Sequence, residues 1–193
     1  MTELAFPRPR AGRSLGWWGM ALFVATEATL FGTIFGTYFY LRLNADHWPP
    51  AGIAAPSALW PLLLAAALVS TSALLWVTCR AALLGLPGRA RAGLLLALVI
   101  QSGYLAVHLL LFAHDLDRFR PEASAYGSIY FTMLGAHDAH VAAGILLELW
   151  LLLRLLGGLT RYRLVALQVT TFYWHFVNVL AVLVVTVQLA GAR

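Results

Sequence analysis

The sequence predicts an all-α protein, a polytopic transmembrane helical bundle of five spans. Three observations carry that reading. Of 193 residues, 61% are hydrophobic and 11% charged, where soluble globular domains carry about 25% charge. The mean hydropathy is +0.80. Five apolar stretches each reach the roughly 20 residues that a helix needs to cross a bilayer. Short connections bearing Arg, Pro or Gly separate them. None is long enough for a soluble domain, so residues 1–193 read as one bundle.

Residues 1–15 hold FPRPRAGR and read as an irregular arm at the membrane surface. Basic residues before an apolar run suggest a signal peptide, but this run is too long, so it is expected to be retained. Span one, about 16–41, is GWWGMALFVATEATLFGTIFGTYFYL. It holds Glu27 near its middle, where a lone carboxylate in hydrocarbon is costly. Gly32 and Gly36 follow at GxxxG spacing, which lets another backbone approach closely. Span one is therefore expected to pack on protein and turn its carboxyl inward. The prolines of LNADHWPPAGIAAPS end it.

Span two, about 58–78, has Pro61 in its first turn, where a missing N–H is harmless. Arg80, Pro87, Gly88, Arg89 and Arg91 read as a tight basic turn. Span three, about 93–113, holds Gln101 and His108. HDLDRFRPEAS connects it to span four, about 126–153. Gly157, Gly158, Arg161 and Arg163 form the next turn, and span five covers about 165–189.

All 13 basic residues are Arg, and the net charge is +5. A basic balance raises nucleic acid as a partner, but these arginines sit between apolar segments, where topology explains them. Arg8, Arg10, Arg13, Arg80, Arg89, Arg91, Arg154, Arg161 and Arg163 fall on one side; Arg42, Arg118, Arg120 and Arg193 fall on the other. The first set is expected to face the cytoplasm, with the N-terminus inside and the C-terminus outside. Cys79 is the single cysteine, which excludes an internal disulfide and a multi-cysteine metal site.

Helical rise gives depth. Glu27 lies about 16 Å, His175 about 15 Å and His140 about 20 Å from the cytoplasmic side. These three form an expected buried polar cluster. His108 and His137 form a second expected pair, about 25 Å in. Asp138, turned about 100° from His137, does not share its face closely. Glu148 is near the end of span four and within reach of the interface. Such residues are compatible with a metal site, a proton relay or mutually satisfied polar groups. His137 and His140 are three apart, but no further ligand pair at helical spacing accompanies them, so no metal is expected. Buried polar groups must be paired but need not coordinate anything. Within the cluster, Glu27 is expected to bond His140, with His175 as second choice. Trp17, Trp18, Trp48, Trp60 and Tyr162 read as interfacial belt residues, and Tyr173 and Trp174 as packing.

Several stretches carry a family resemblance. GMALFVATEATLFGTIFGTYFYLR resembles the Glu-bearing helix of subunit III of the haem-copper terminal oxidases. STSALLW is similar to the Ser/Thr helix after it. IYFTMLGAHDAHVAAGILLELWLLLR resembles that family's helix with two histidines three apart, and YWHFVNVL its last helix. The resemblance covers nearly the whole hydrophobic chain and is to the five-span form; mitochondrial-type members carry two further spans first. Asn178 stands where the family usually has an acid, and His108 where it tends to place Gln and Glu nearby.

The resemblance implies a non-catalytic subunit of a cytochrome c oxidase type complex, in aerobic electron transport with proton translocation. It implies subunit I as direct partner, with other oxidase subunits, in the bacterial plasma membrane. Haem and copper would sit in partner subunits and no cofactor in this chain. Bound phospholipid would occupy a cleft lined by span one. Glu27, His140 and His175 would be the polar cluster supporting proton uptake. Within the same family, the alternatives are subunit III of a quinol oxidase and the accessory protein of nitric oxide reductase.

Two other classes compete. One is an independent proton channel or transporter built on Glu27, though no internal repeat or pair of broken helices supports it. The other is an integral-membrane enzyme using the histidines.

Overall fold

The computed structural model describes residues 13–53 and 57–191. Five helices form among them: α1 Leu15–Leu43, α2 Leu59–Leu83, α3 Pro87–Arg118, α4 Ala125–Leu156 and α5 Arg161–Gly191. A single 3-10 turn, Pro121–Ala123, joins α3 to α4. All five helices are long and apolar enough to cross a membrane. Most of the expected arm at residues 1–15, with Arg8 and Arg10, lies outside the described residues, as does Arg193.

The helices run beyond the spans that hydropathy marks, because backbone hydrogen bonding does not stop at the apolar boundary. The expected basic turn from Arg80 to Arg91 is corrected accordingly. Arg80 lies in α2, Arg89 and Arg91 lie in α3, and the turn itself is Leu84–Leu86. Pro87 opens α3, a position that needs no N–H and suits its fixed φ. Gly85 supplies φ 72° in the turn, which costs glycine little. Side chains complete other helix ends. Ser14 Oγ accepts from Trp17 N–H at 3.3 Å, and Ser124 Oγ accepts from Gly127 N–H at 3.0 Å. The last turns of a helix leave carbonyls without partners. At the end of α4, Arg91 donates to the carbonyls of Leu155 and Leu156 at 2.9 and 3.3 Å. Arg163 donates to Gly158 O at 2.7 Å. Arg91 therefore caps α4, and Arg163 closes the connection that follows it.

Helices α2, α3, α4 and α5 close a ring, each packed on the next and α2 on α5; α1 lies outside it, against α4 and α5. Leu68, Leu75, Leu94, Val141, Leu151 and Trp174 fill the ring. Phe31, Ile34 and Tyr38 of α1 pack with Met133, Leu180 and Val184 of α4 and α5. Those three positions on α1 follow helical spacing and form its whole buried face. Met20, Glu27, Phe35 and Leu41 are half-buried along the same side, and the opposite side of α1 is exposed. Arg13 lies over Trp17 at 3.7 Å and Arg80 over Trp76 at 3.9 Å, placing cation and indole together as membrane interfaces favour.

Candidate functional site

The described residues bring α1 and α4 together through one polar contact. Glu27 precedes Phe31 by four residues, so its side chain lies on the buried face of α1. Its Oε2 is 3.0 Å from His140 Nε2. His140 Nδ1 is 2.7 Å from the carbonyl of Ala136. A carbonyl only accepts, so Nδ1 carries a proton and donates. The Nε2 contact then holds a single proton shared with Glu27. It is a carboxylic acid donating to imidazole, or an imidazolium donating to carboxylate, and both keep the bond. The edge of Phe31, with ring centroids 5.3 Å apart, covers one side of His140.

His175 is not part of this cluster. It is half-buried and makes no hydrogen bond among the described residues. The residue that α5 contributes is Tyr173, whose hydroxyl donates to His140 O at 2.8 Å. Positions 173 and 175 point about 200° apart on a helix, so a shared depth does not give a shared face. Tyr173 and Trp174 approach α4 closely at Gly144, where an added Cβ would lie 2.7 Å from Trp174 and 3.0 Å from Tyr173.

The expected pair of His108 and His137 is also corrected. His108 Nδ1 hydrogen-bonds Asp138 Oδ2 at 2.9 Å, with Oδ1 2.8 Å away. The face of α4 toward α3 carries Asp138 at the level where His108 arrives. His137 is buried, set edge-on to Tyr104, and neither ring nitrogen has a partner among the described residues. Tyr104 stacks on His108 with ring centroids 5.4 Å apart.

Gly32 and Gly36 pack on no described residue. A Cβ at either would meet nothing within 4 Å, and both are exposed. The buried stripe of Phe31, Ile34 and Tyr38 turns the glycine stripe away from α4 and α5. Gly16 is the glycine of α1 that faces α5, and a Cβ there would make ordinary van der Waals contact with Val165 and Val169 at 3.9 Å.

Glu148 does not reach the interface. It is fully buried on the seam of Val141, Gly144, Glu148, Leu151 and Leu155, spaced three and four apart. That spacing is visible in the sequence and is the signal that places an acid inside the ring. Gln101 of α3 and Trp174 of α5 lie beside it, and none of the three side chains completes a hydrogen bond of good geometry among the described residues. Asn178 donates to Ser72 Oγ at 2.7 Å and Thr71 Oγ1 at 3.2 Å, joining α5 to α2 by neutral groups. Among the described residues, no three His, Cys, Asp or Glu side chains converge as a metal site would require. The arrangement therefore offers hydrogen-bonded and proton-sharing pairs between helices.

Known proteins are similar to this chain along most of its length. Residues 12–191 match the family model for cytochrome c oxidase subunit III. A cytochrome c oxidase subunit 3 of Bacillus subtilis is 30% identical over 177 residues, covering 90% of this chain and 83% of that protein. A cytochrome bo(3) ubiquinol oxidase subunit 3 of Pseudomonas aeruginosa is 30% identical, covering 88% and 81%. A probable quinol oxidase subunit 3 of Staphylococcus aureus is 30% identical over 180 residues, covering 89% and 85%. With all five helices inside the matched range, this chain belongs to the cytochrome c oxidase subunit III family.

Proposed function

We propose that this chain is the non-catalytic subunit III of a bacterial haem-copper respiratory oxidase, seated in the plasma membrane directly against subunit I. The observation that carries this is the family match across every helix. Haem and copper belong to the partner subunits, and this chain holds none. The outward face of α1, with exposed Leu22, Phe23 and Leu30, suits contact with a neighbouring subunit and with phospholipid. The arginines at one end of the bundle favour a cytoplasmic N-terminus and an outer C-terminus. The Glu27–His140 pair ties α1 to the ring and gives modest support to proton uptake and lasting turnover.

Purification of the tagged chain from its own membranes tests this reading. It should bring down a haem-bearing, oxygen-reducing complex, and the haem spectrum and choice of reductant will distinguish a cytochrome c oxidase from a quinol oxidase. A chain that purifies alone, without haem, would overturn the assignment.

A further inference from the structure

Helix α5 packs on α1, α2 and α4 and is the most enclosed of the five. What remains open on it is narrow. Successive residues turn about 100° on a helix, so Gln168, Val179, Val182 and Thr186 all lie within about 40° of His175. These four are exposed, and His175 is half-buried. On one side of this stripe, Asn178 bonds Thr71 and Ser72 of α2. On the other, Phe172 stacks on Trp17 of α1 with ring centroids 5.5 Å apart, and Val165 and Val169 lie by Gly16. The stripe is therefore the floor of a groove, with α1 and α2 as its walls.

His175 is the part of this groove that needs a partner. By helical rise it lies about 15 Å from the cytoplasmic side, near the middle of the bilayer. Neither ring nitrogen has a hydrogen-bond partner among the described residues. The other polar groups of the stripe do not supply one. Thr186 Oγ1 donates to its own helix, at Val182 O, 2.7 Å away. Gln168 lies about 10 Å nearer the cytoplasmic surface. A neutral imidazole carries one donor and one acceptor, and leaving both unmet in hydrocarbon is costly.

Acyl chains would fill the groove but leave His175 unmet, and lipid headgroups stay at the membrane surface, far from its depth. A helix supplies both the apolar contact and a hydrogen-bonding side chain. The walls suit one. Ala21, Val24 and Ala28 extend the Trp17 side of α1 by helical spacing, and Val69 and Trp76 extend the Ser72 side of α2. Small side chains on the α1 wall admit a close approach. No Asp, Glu, Lys or Arg lies on α5 from Gln168 to Thr186, so the group that meets His175 need not be charged. We propose that a transmembrane helix of a partner subunit lies in this groove and sets a Ser, Thr, Asn or Gln side chain against His175. This rests on reading the chain as one subunit of a membrane complex. It gives that complex a docking face on α5, distinct from the outward face of α1.

Photocrosslinking in native membranes, followed by purification of the complex, tests this. p-Benzoylphenylalanine placed at Val179 or Val182, on the floor, should form an adduct that mass spectrometry maps to one transmembrane segment of another subunit. The same probe at Leu96 or Leu109, exposed on α3, should not label that segment. His175→Leu should weaken the hold of the complex on this chain about tenfold, the effect of one lost hydrogen bond, read as the fraction released on dilution in detergent. His175→Gln should restore most of it, since a carboxamide both donates and accepts. If His175→Leu fails to accumulate in the membrane, the crosslinks at Val179 and Val182 decide alone. Adducts with phospholipid only, adducts with a second copy of this chain, or a membrane-inserted His175→Leu held as firmly as the unsubstituted chain would overturn the proposal. The haem spectrum judges the oxidase assignment separately. A haem-free complex crosslinked at the floor overturns that assignment alone, and a haem-bearing complex with lipid adducts only overturns the groove alone.

Discussion

Glu27 and Glu148 are both acids within apolar helices, yet their surroundings differ in kind. Glu27 lies on the outlying helix α1, half-buried, with His140 at 3.0 Å. Glu148 lies inside the ring, fully buried, with Gln101 and Trp174 near it and no hydrogen bond completed. The acid at the margin is the one with a complementary partner. The acid at the centre is held by packing, on a seam otherwise made of Val141, Gly144, Leu151 and Leu155. A polar group can therefore be enclosed because its helix position is enclosed, without being the contact that holds the helices together. Stability around Glu148 should come from shape, and stability around Glu27 from its bond.

The largest effect should come from shape. Gly144→Leu puts a side chain where even a Cβ would meet Trp174 at 2.7 Å. It should cost about 3 kcal/mol, the upper part of the usual range for overpacking. Thermal denaturation of the purified complex, or absence of the subunit from it, measures this. A variant with unchanged stability would show that α4 and α5 are not so close.

The next effect should fall on the pair. Glu27→Ala leaves His140 Nε2 without its partner and should cost about 2 kcal/mol, read as easier dissociation of the subunit by heat or chaotrope. Glu27→Gln keeps a hydrogen-bonding group and should be nearly silent in the same assay. Equal losses in both variants would mean that the charge, and not the bond, is what matters.

The smallest effect should be at Glu148. Glu148→Leu replaces an acid lacking a hydrogen bond by an apolar group of similar size and should change stability by less than about 1 kcal/mol, in either direction. A loss as large as that of Glu27→Ala would erase the contrast and show that Glu148 has a strong partner.

Part of this arrangement could be read from the chain. Hydropathy and length located the five helices, though not their ends, because Arg80, Arg89 and Arg91 continue helices past the apolar stretch. The Glu27–His140 contact followed from depth, since an acid in hydrocarbon needs a polar neighbour at its own level. Depth alone misassigned His175 and His137, because residues at one level can face opposite sides of a helix. It also left Tyr173 and Asp138 among packing and mismatched residues, although Tyr173 donates to His140 O and Asp138 holds His108. The glycine stripe of α1 misled for a related reason. Spacing shows that Gly32 and Gly36 share a face, but the bulkier Phe31, Ile34 and Tyr38 took the protein side.

By itself the sequence determined what is local or one-dimensional: the apolar stretches, their number, the arginine asymmetry, and the presence of costly polar groups at given depths. Helical geometry converts those directly into length and level. Only the tertiary structure decided the azimuth of each helix, and with it who partners whom. The rotation of α1, α3 and α5 about their axes is set by the summed packing of many apolar side chains, each contributing little. That sum places Glu27 on His140, gives His108 to Asp138, and buries Glu148 on the seam of Val141, Gly144 and Leu151.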